Sequence, residues 1–284
     1  MSIRIVTDST ADITPETAET LGITIVPLSV FFDDETYRDN IDLDNATFYQ
    51  KLQASKTLPR TSQPAPALFQ EAYTRLIDEG ADAILSVHIS SKLSGTYQSA
   101  CTAWNSLTDE QRTIPFVAID SKSVSAGMFV TLKNLVEMAA QGSSLEELKA
   151  YAEDRFSRTR ILALLDTLEY LRRGGRIGNA KALLGNMLSV KPIVALNKEG
   201  EVVPVEQPRT RNKAFARATQ LVADYGKLEE LALAESDVEI GTQLAQVLKT
   251  VYPEEIAQYK LGAALGTHTG PGTVGIIAVI AKSE

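Results

Sequence analysis

A chain of 284 residues, 44% hydrophobic and 23% charged, has the make-up of a water-soluble globular protein and the length for two domains of roughly 100–200 residues each. Its net charge of −8, carried without a basic stripe, argues against nucleic acid or an anionic membrane as the main partner. The lone cysteine, Cys101, rules out an internal disulfide. With no signal-peptide pattern and no apolar run near the roughly 18 residues that span a bilayer, a cytoplasmic address is expected, with at most transient membrane contact.

The first half, predicted as an N-terminal domain over residues 1–156, alternates strands with helices, the pattern of an open, mostly parallel sheet with flanking helices. Ile3 to Val6 reads as a strand that runs into Thr7-Asp8-Ser9-Thr10, and Thr14-Pro15 then caps a helix that Gly22 ends. Ile23 to Phe32 reads as one strand region, turned back at Asp33-Asp34-Glu35 toward Tyr37, and Asp44 opens a helix through Leu52. The prolines of Leu58 to Pro66 forbid regular structure before a helix from about Ala67 to Glu79. The apolar, β-branched run from Ala83 to Ile89 is a buried strand that passes through Ser90-Ser91-Lys92-Leu93-Ser94-Gly95-Thr96 into a helix containing Ala100 and Trp104. Phe116 to Ile119 repeats this design, with the loop Asp120 to Ser125 and a further helix after it.

Strands therefore finish in hydroxyl-rich loops at Thr7 to Thr10, Ser90 to Thr96 and Asp120 to Ser125, and in an open parallel sheet these ends border one crevice. Helix capping accounts for any one of them alone. Together with the proline-framed Thr61-Ser62 they indicate a site.

The second half, residues 157–284, reads as a mixed α/β domain. Ser144 and Glu147 form a capping box at the head of a polar-faced helix that bridges toward the boundary near Phe156. Ile161 to Leu165 is a strand, and Leu168 to Arg176 a short helix stopped by glycines. Ala180 to Leu188 reads as a helix whose Leu183, Leu184, Met187 and Leu188 offer either an adaptable apolar lining or ordinary core packing. Asn197-Lys198-Glu199-Gly200 is a hairpin signature between Lys191 to Leu196 and Val202 to Val205. Helices at Arg211 to Tyr225 and Val238 to Thr250 precede two apolar strands, Leu261 to Leu265 and Val274 to Ile280, joined by Gly266-Thr267-His268-Thr269-Gly270-Pro271-Gly272.

Of the 2 histidines, His268 sits in a glycine-rich connection where backbone can approach a ligand, which makes it a stronger candidate than His88 on its strand. Ser94, His268 and Asp8 or Asp120 supply the residue types of a triad, but Lys92-Leu93-Ser94-Gly95-Thr96 lacks the first glycine of a nucleophile elbow. There is no P-loop, no dinucleotide fingerprint after the first strand and no His/Cys pair at ligand spacing, so neither cofactor nor metal is expected. What remains is recognition of a small anionic head group by hydroxyls and helix-start amides, with something apolar behind it. An esterase or thioesterase using Ser94 and His268, and a small-anion sensor, stand as alternatives.

Thr7-Asp8-Ser9-Thr10, Arg60-Thr61-Ser62-Gln63-Pro64, Ser90 to Thr96, Asp120-Ser121, Arg173-Gly174-Gly175-Arg176-Ile177, Lys191-Pro192-Ile193 and Gly266 to Gly272 together resemble the DegV family, the fatty-acid-binding, FakB-type subunits of bacterial fatty acid kinase. The likeness runs in order over essentially the whole chain. It implies a two-domain α/β protein holding one long-chain fatty acid in a tunnel at the domain junction. Such a protein is not itself an enzyme and has no ATP site. It presents the carboxylate to a partner ATP-dependent kinase and carries the acyl phosphate formed. The resemblance puts Thr61, Ser62, Ser94, the Gly95 amide and His268 at the carboxylate, and offers Arg173, Arg176 and Arg209 for the acyl phosphate or for docking the kinase. About fourteen buried methylenes at about 0.8 kcal/mol each give roughly 11 kcal/mol as an upper bound, against about 0.5–1.5 kcal/mol for one hydroxyl contact. The tail then supplies affinity and the head contacts supply position.

Overall fold

The computed structural model describes residues 2–186 and 190–282, with the backbone only at residues 184–186. The N-terminal part contains β1 (Ile3–Asp8), α1 (Pro15–Leu21), β2 (Ile23–Val26), β3 (Ser29–Phe32), β4 (Glu35–Arg38), α2 (Asn45–Ala54), β5 (Arg60–Ser62), α3 (Pro66–Asp78), β6 (Ala83–His88), α4 (Thr96–Asn105), β7 (Phe116–Asp120), α5 (Ala126–Ala140) and α6 (Leu145–Arg158). Strands in the order β2-β1-β6-β7 make a 4-stranded parallel sheet, and β4-β3-β5 make a 3-stranded antiparallel one. β6 is buried along its whole length, as its unbroken apolar run requires of a central parallel strand covered on both faces. Phe69 and Tyr73 of α3 with Ala100 and Ala103 of α4 cover one face. Leu132 and Leu135 of α5 with Leu148 and Ala152 of α6 cover the other. The caps form as the sequence indicates: Thr14 and Asp44 accept the backbone N–H of Thr17 and Thr47, and Ser144 and Glu147 cap reciprocally.

The C-terminal part contains β8 (Thr159–Leu164), α7 (Glu169–Arg173), a 3-10 segment (Gly178–Asn186), β9 (Ile193–Leu196), β10 (Val202–Glu206), α8 (Arg211–Asp224), β11 (Leu228–Glu235), α9 (Val238–Leu248), β12 (Ala257–Lys260), α10 (Ala263–Thr269) and β13 (Val274–Ile280). Its 6-stranded sheet runs β10-β9-β8-β13-β11-β12, antiparallel except for the β11–β12 pair. Phe215 of α8 and Leu244 of α9 pack on one face. The opposite face, through Ile161, Ala232, Ala234 and Ile277, meets Ala126 and Val130 of α5, so α5 is shared between the two sheets. Among the described residues no helix is long and apolar enough to cross a membrane.

Several elements differ from the sequence reading. The stretch Ile23 to Phe32 is two strands in two sheets, because Pro27 has no N–H with which to continue a ladder. The proline-rich stretch contains β5, which pairs with β3; Pro59 and Pro64 lie outside the three residues that pair, so the ladder loses nothing to them. Leu261 to Leu265 is not a strand, since α10 begins at Ala263. β11 and β12 were not anticipated at all. Ala180 to Leu188 is represented by the 3-10 segment, not an α-helix, and Met187 and Leu188 lie outside the described residues.

Candidate ligand-binding site

A cavity lies between the loops that leave the carboxyl ends of β1, β6 and β7 and the C-terminal sheet, beside α10. Leu28, Ile89, Leu93 and Val124 line it from the N-terminal part, and Ile161, Ala163, Leu165, Val194, Leu196 and Ile277 from the C-terminal sheet. The space between these atoms is about 1030 Å³, including the part open to solvent. Its hydroxyl-bearing wall residues are mostly engaged already. Thr10 donates to Asp8, and Ser125 to Asp12. Thr269 donates to the carbonyl of Leu265 at 3.1 Å, and Thr273 to those of Thr269 and Gly270 at 3.0 and 2.9 Å. With their hydroxyls donating to the protein, these four side chains offer no free O–H to a ligand, and apart from the polar end the cavity wall formed by the other described residues is largely apolar.

Polar groups collect at one end. Thr61 of β5 places Oγ1 2.7 Å from Nε2 of His268 on α10. Ser94, Gln63 and Arg176 line the same cavity. Ser94 Oγ is 2.8 Å from Thr96 Oγ1, just ahead of α4, whose N-cap Gly95 contributes no side-chain cap, leaving the first-turn N–H groups of that helix for an anion. Arg176 donates to the carbonyls of Leu93 and Gly174 and is the one cation lining the cavity among the described residues. Burial, and after it the charge of Arg176, push His268 down from 6.5 to about 4, so its imidazole is neutral at pH 7. Gly174 makes room for that ring: a Cβ there would lie 2.2 Å from His268 Nδ1. α10 itself is held from below. Asp12 accepts the N–H of Gly262 at 2.9 Å and Asp39 that of Ala264 at 3.2 Å. Burial raises both carboxyls, Asp12 well above the usual range and Asp39 from 3.8 to about 6.

Of the residues singled out from sequence, Thr61, Ser94, Arg176 and His268 come together at this polar end. His268 lies in the last turn of α10, not in a loop as the glycines around it suggested. Ser62 is exposed, with its hydroxyl on the carbonyl of Gln63. Arg173 and Arg209 are exposed, Arg173 in an ion pair with Glu169. Leu183 is half-buried against the cluster that contains Leu165, Leu171, Val194 and Val202, and these four, not Leu183, line the cavity. The side chain of Leu184, like Met187 and Leu188, lies outside the described residues. Gln63 is the polar cavity residue that sequence reasoning passed over; its carboxamide lies over Gly95, where a Cβ would come within 2.5 Å of it.

A triad of Ser94, His268 and an aspartate is not assembled. Thr61 occupies His268 Nε2, Asp120 accepts from Ser91, and Asp8 is taken by the other histidine. His88, fully buried, sits between Asp8 at 3.0 Å and Ser86 at 2.7 Å, with Tyr73 on Ser86 at 2.8 Å. That chain of partners satisfies polar groups in the core of the parallel sheet. Among the described residues no three His, Cys, Asp or Glu side chains converge as a metal site requires.

Comparison with known proteins supports the same picture. Residues 2–281 match the family described as "Uncharacterised protein, DegV family". A DegV domain-containing protein of Halalkalibacterium halodurans is 35% identical over 285 residues, covering 99% of each chain. Protein DegV of Bacillus subtilis is 36% identical over 282 residues, 97% of this chain and 98% of that one. Similar solved structures include a fatty-acid-binding DegV family protein from Thermus thermophilus, with a TM-score of 0.88 and 34% identity over 99% of this chain and 100% of that chain. A stearic-acid-binding protein from Eubacterium ventriosum has a TM-score of 0.90 at 26% identity, over 98% of this chain and 99% of that one. Matched along nearly its whole length by the family and by relatives of its own size, the chain belongs to the DegV family.

Proposed function

We propose that the protein binds one long-chain fatty acid, with the hydrocarbon in the apolar cavity and the carboxylate among Thr61, Ser94, the Gly95 amide and His268, and presents that carboxylate to a partner ATP-dependent kinase for conversion to an acyl phosphate. The observation that carries the binding step is the distribution of polar groups: wall hydroxyls turned to protein partners along the cavity, and donors gathered at one end. Such a cavity suits a long apolar ligand with one anionic tip. Fatty acid binding by the similar DegV proteins supports the same ligand class. The presentation step is supported by the motifs quoted above and by the setting of the polar end against α7, where Arg173 and Arg176 flank the Gly174-Gly175 pair. In this reading the exposed Arg173 and Arg209 serve the docking of the partner, and Ser62, exposed with its hydroxyl on the Gln63 carbonyl, is left out of the carboxylate contacts.

Solvent extraction of the purified protein followed by mass spectrometry tests the first step: a stoichiometric fatty acid is expected, and an empty protein that hydrolyses a chromogenic ester would favour an esterase instead. With the kinase and ATP added, Ser94→Ala is expected to retain the lipid but lose turnover by tenfold or more, on the order expected when a reacting group is displaced from its position. Normal turnover by that variant would exclude Ser94 from presenting the carboxylate.

A further inference from the structure

Leu165, Ala163 and Ile161 stand on the same side of β8 and its exit, all facing the cavity. Leu165 belongs to the cluster of Leu171 and Leu93, and Arg176 donates to the Leu93 carbonyl, so the Leu165 end is the polar end. Ile161, about 13 Å further along the strand, is the opposite end. There it packs with Val124, Leu196 and Leu261.

Immediately beyond lies a second, larger cleft between the two parts of the molecule, bordered by Lys122 and Ser123 after β7, Phe156 of α6, Arg160 of β8 and Lys198 of the β9–β10 turn. Ile161 and Leu196 line both spaces. Each of these two aliphatic side chains therefore has the apolar cavity on one side and the cleft on the other. The partition they form is also held in place. Ser90 donates to the carbonyl of Gly200 at 2.7 Å, and Gly200, at a φ of +80°, lies so close that a Cβ would come 2.2 Å from Ser90 Oγ and 2.9 Å from Lys122 Cα. The hairpin that carries Leu196 is thus pinned to the N-terminal part at its turn.

We infer that Ile161 and Leu196 are the end wall for the acyl chain and set the longest chain the protein retains, an inference that rests on the fatty-acid reading above. Each methylene enclosed before the wall raises affinity by about fourfold, whereas one forced past it enters a cleft rimmed by Lys122, Arg160 and Lys198 and gains little. Shortening either side chain deepens the cavity toward the cleft, and enlarging one makes it shallower.

The test is competitive loading of the purified full-length protein with a graded series of straight-chain saturated fatty acids, followed by extraction and mass spectrometry. Ile161→Ala and Leu196→Ala are expected to move the preferred length up by about one or two carbons, and Ile161→Phe to move it down, while Ile161→Val, the mildest change, gives a smaller shift in the upward direction. Thermal melting identifies any variant that does not fold, and Ile161→Val with Leu196→Met then carry the comparison. An unchanged length profile in the folded variants overturns the inference, as does an equal upward shift in Leu171→Ala at the polar end. A wild-type protein that retains no acid of any length overturns the fatty-acid reading itself and the wall with it, a result distinct from a retained acid of unaltered length.

Discussion

Thr61 Oγ1 and His268 Nε2 lie 2.7 Å apart across 207 positions of sequence. β5, paired to β3, brings one partner and α10 the other, so the contact exists only when the two parts of the chain have docked. Thr61→Val keeps the side-chain shape and removes the hydroxyl. Loss of one such hydrogen bond is worth about 0.5–1.5 kcal/mol, so fatty acid affinity is expected to fall by about two- to thirteenfold, with the melting temperature lowered by a few degrees because the bond to His268 is lost from the unliganded protein as well. Isothermal titration calorimetry of both proteins decides it; equal dissociation constants would remove Thr61 from the head-group contacts.

Neutral His268 gives the fold a pH dependence of definite sign. The folded imidazole refuses a proton down to about 4, whereas the unfolded one takes it up near its ordinary 6.5. Between those values the unfolded chain holds more protons, so stability falls as pH drops through that window, by on the order of 3 kcal/mol. His268→Gln is expected to abolish this part of the acid sensitivity. Urea unfolding at neutral and acid pH measures it, and an undiminished loss in the variant would mean that the ring is not buried neutral.

Asp39 acts with the opposite sign. Its folded carboxyl, raised to about 6 from 3.8, keeps a proton that the unfolded chain has released, so stability declines as pH rises between those values and stays reduced above them. Asp39→Asn retains an acceptor for the Ala264 N–H and loses the titration. The variant is expected to gain on the order of 2 kcal/mol over wild type on going from pH 4 to pH 7. Melting curves across that range check it, and parallel curves would refute it.

Gly174→Ala tests the room made for the imidazole. The added methyl would come within 2.2 Å of His268 Nδ1 and 3.0 Å of the Tyr170 carbonyl, so the ring is expected to leave Thr61. Fatty acid affinity is then expected to drop about tenfold, comparable to losing a charge-assisted contact. The His268 ring resonances in an NMR titration report the movement directly, and an unshifted spectrum would show that the pocket absorbs the methyl elsewhere.

The parallel half of the fold was legible because local signals agree there: Thr14, Asp44 and Ser144 cap where the periodicity begins, and β6 reads as buried on both faces. The C-terminal half was legible only in part. β11, Leu228–Glu235, is built from Leu, Ala and Glu, all good helix formers, and it is a strand because β12 and β13 pair on either side of it. α10 hid for a related reason. The glycines that suggested a loop are where Gly266 lets the helix lie against Phe48 and Tyr49. At the site, Ser94 was visible as a hydroxyl in the loop after a strand and Thr61 as one in a proline-framed stretch, but Gln63 was not, since nothing local distinguishes a glutamine that folds over a helix start from one in solvent. The role of Asp12 and Asp39 beneath α10 depends on contacts 250 and 225 positions apart, which no local pattern encodes.

The engaged hydroxyls of Thr10, Ser125, Thr269 and Thr273 bear on unloading as much as on binding. Water settles in a cavity when it finds two to four polar partners, and among the described residues the wall gathers most of its free donors near His268. A chain that withdraws leaves most of its length dry, with the lining side chains deprived of dispersion contacts on that side. On the function proposed above, the vacated cavity forfeits those contacts, which favours narrowing or reloading over filling with solvent. If the ligand is the fatty acid proposed above, its release is expected to be faster to an acceptor that takes up the hydrocarbon directly than by dilution alone.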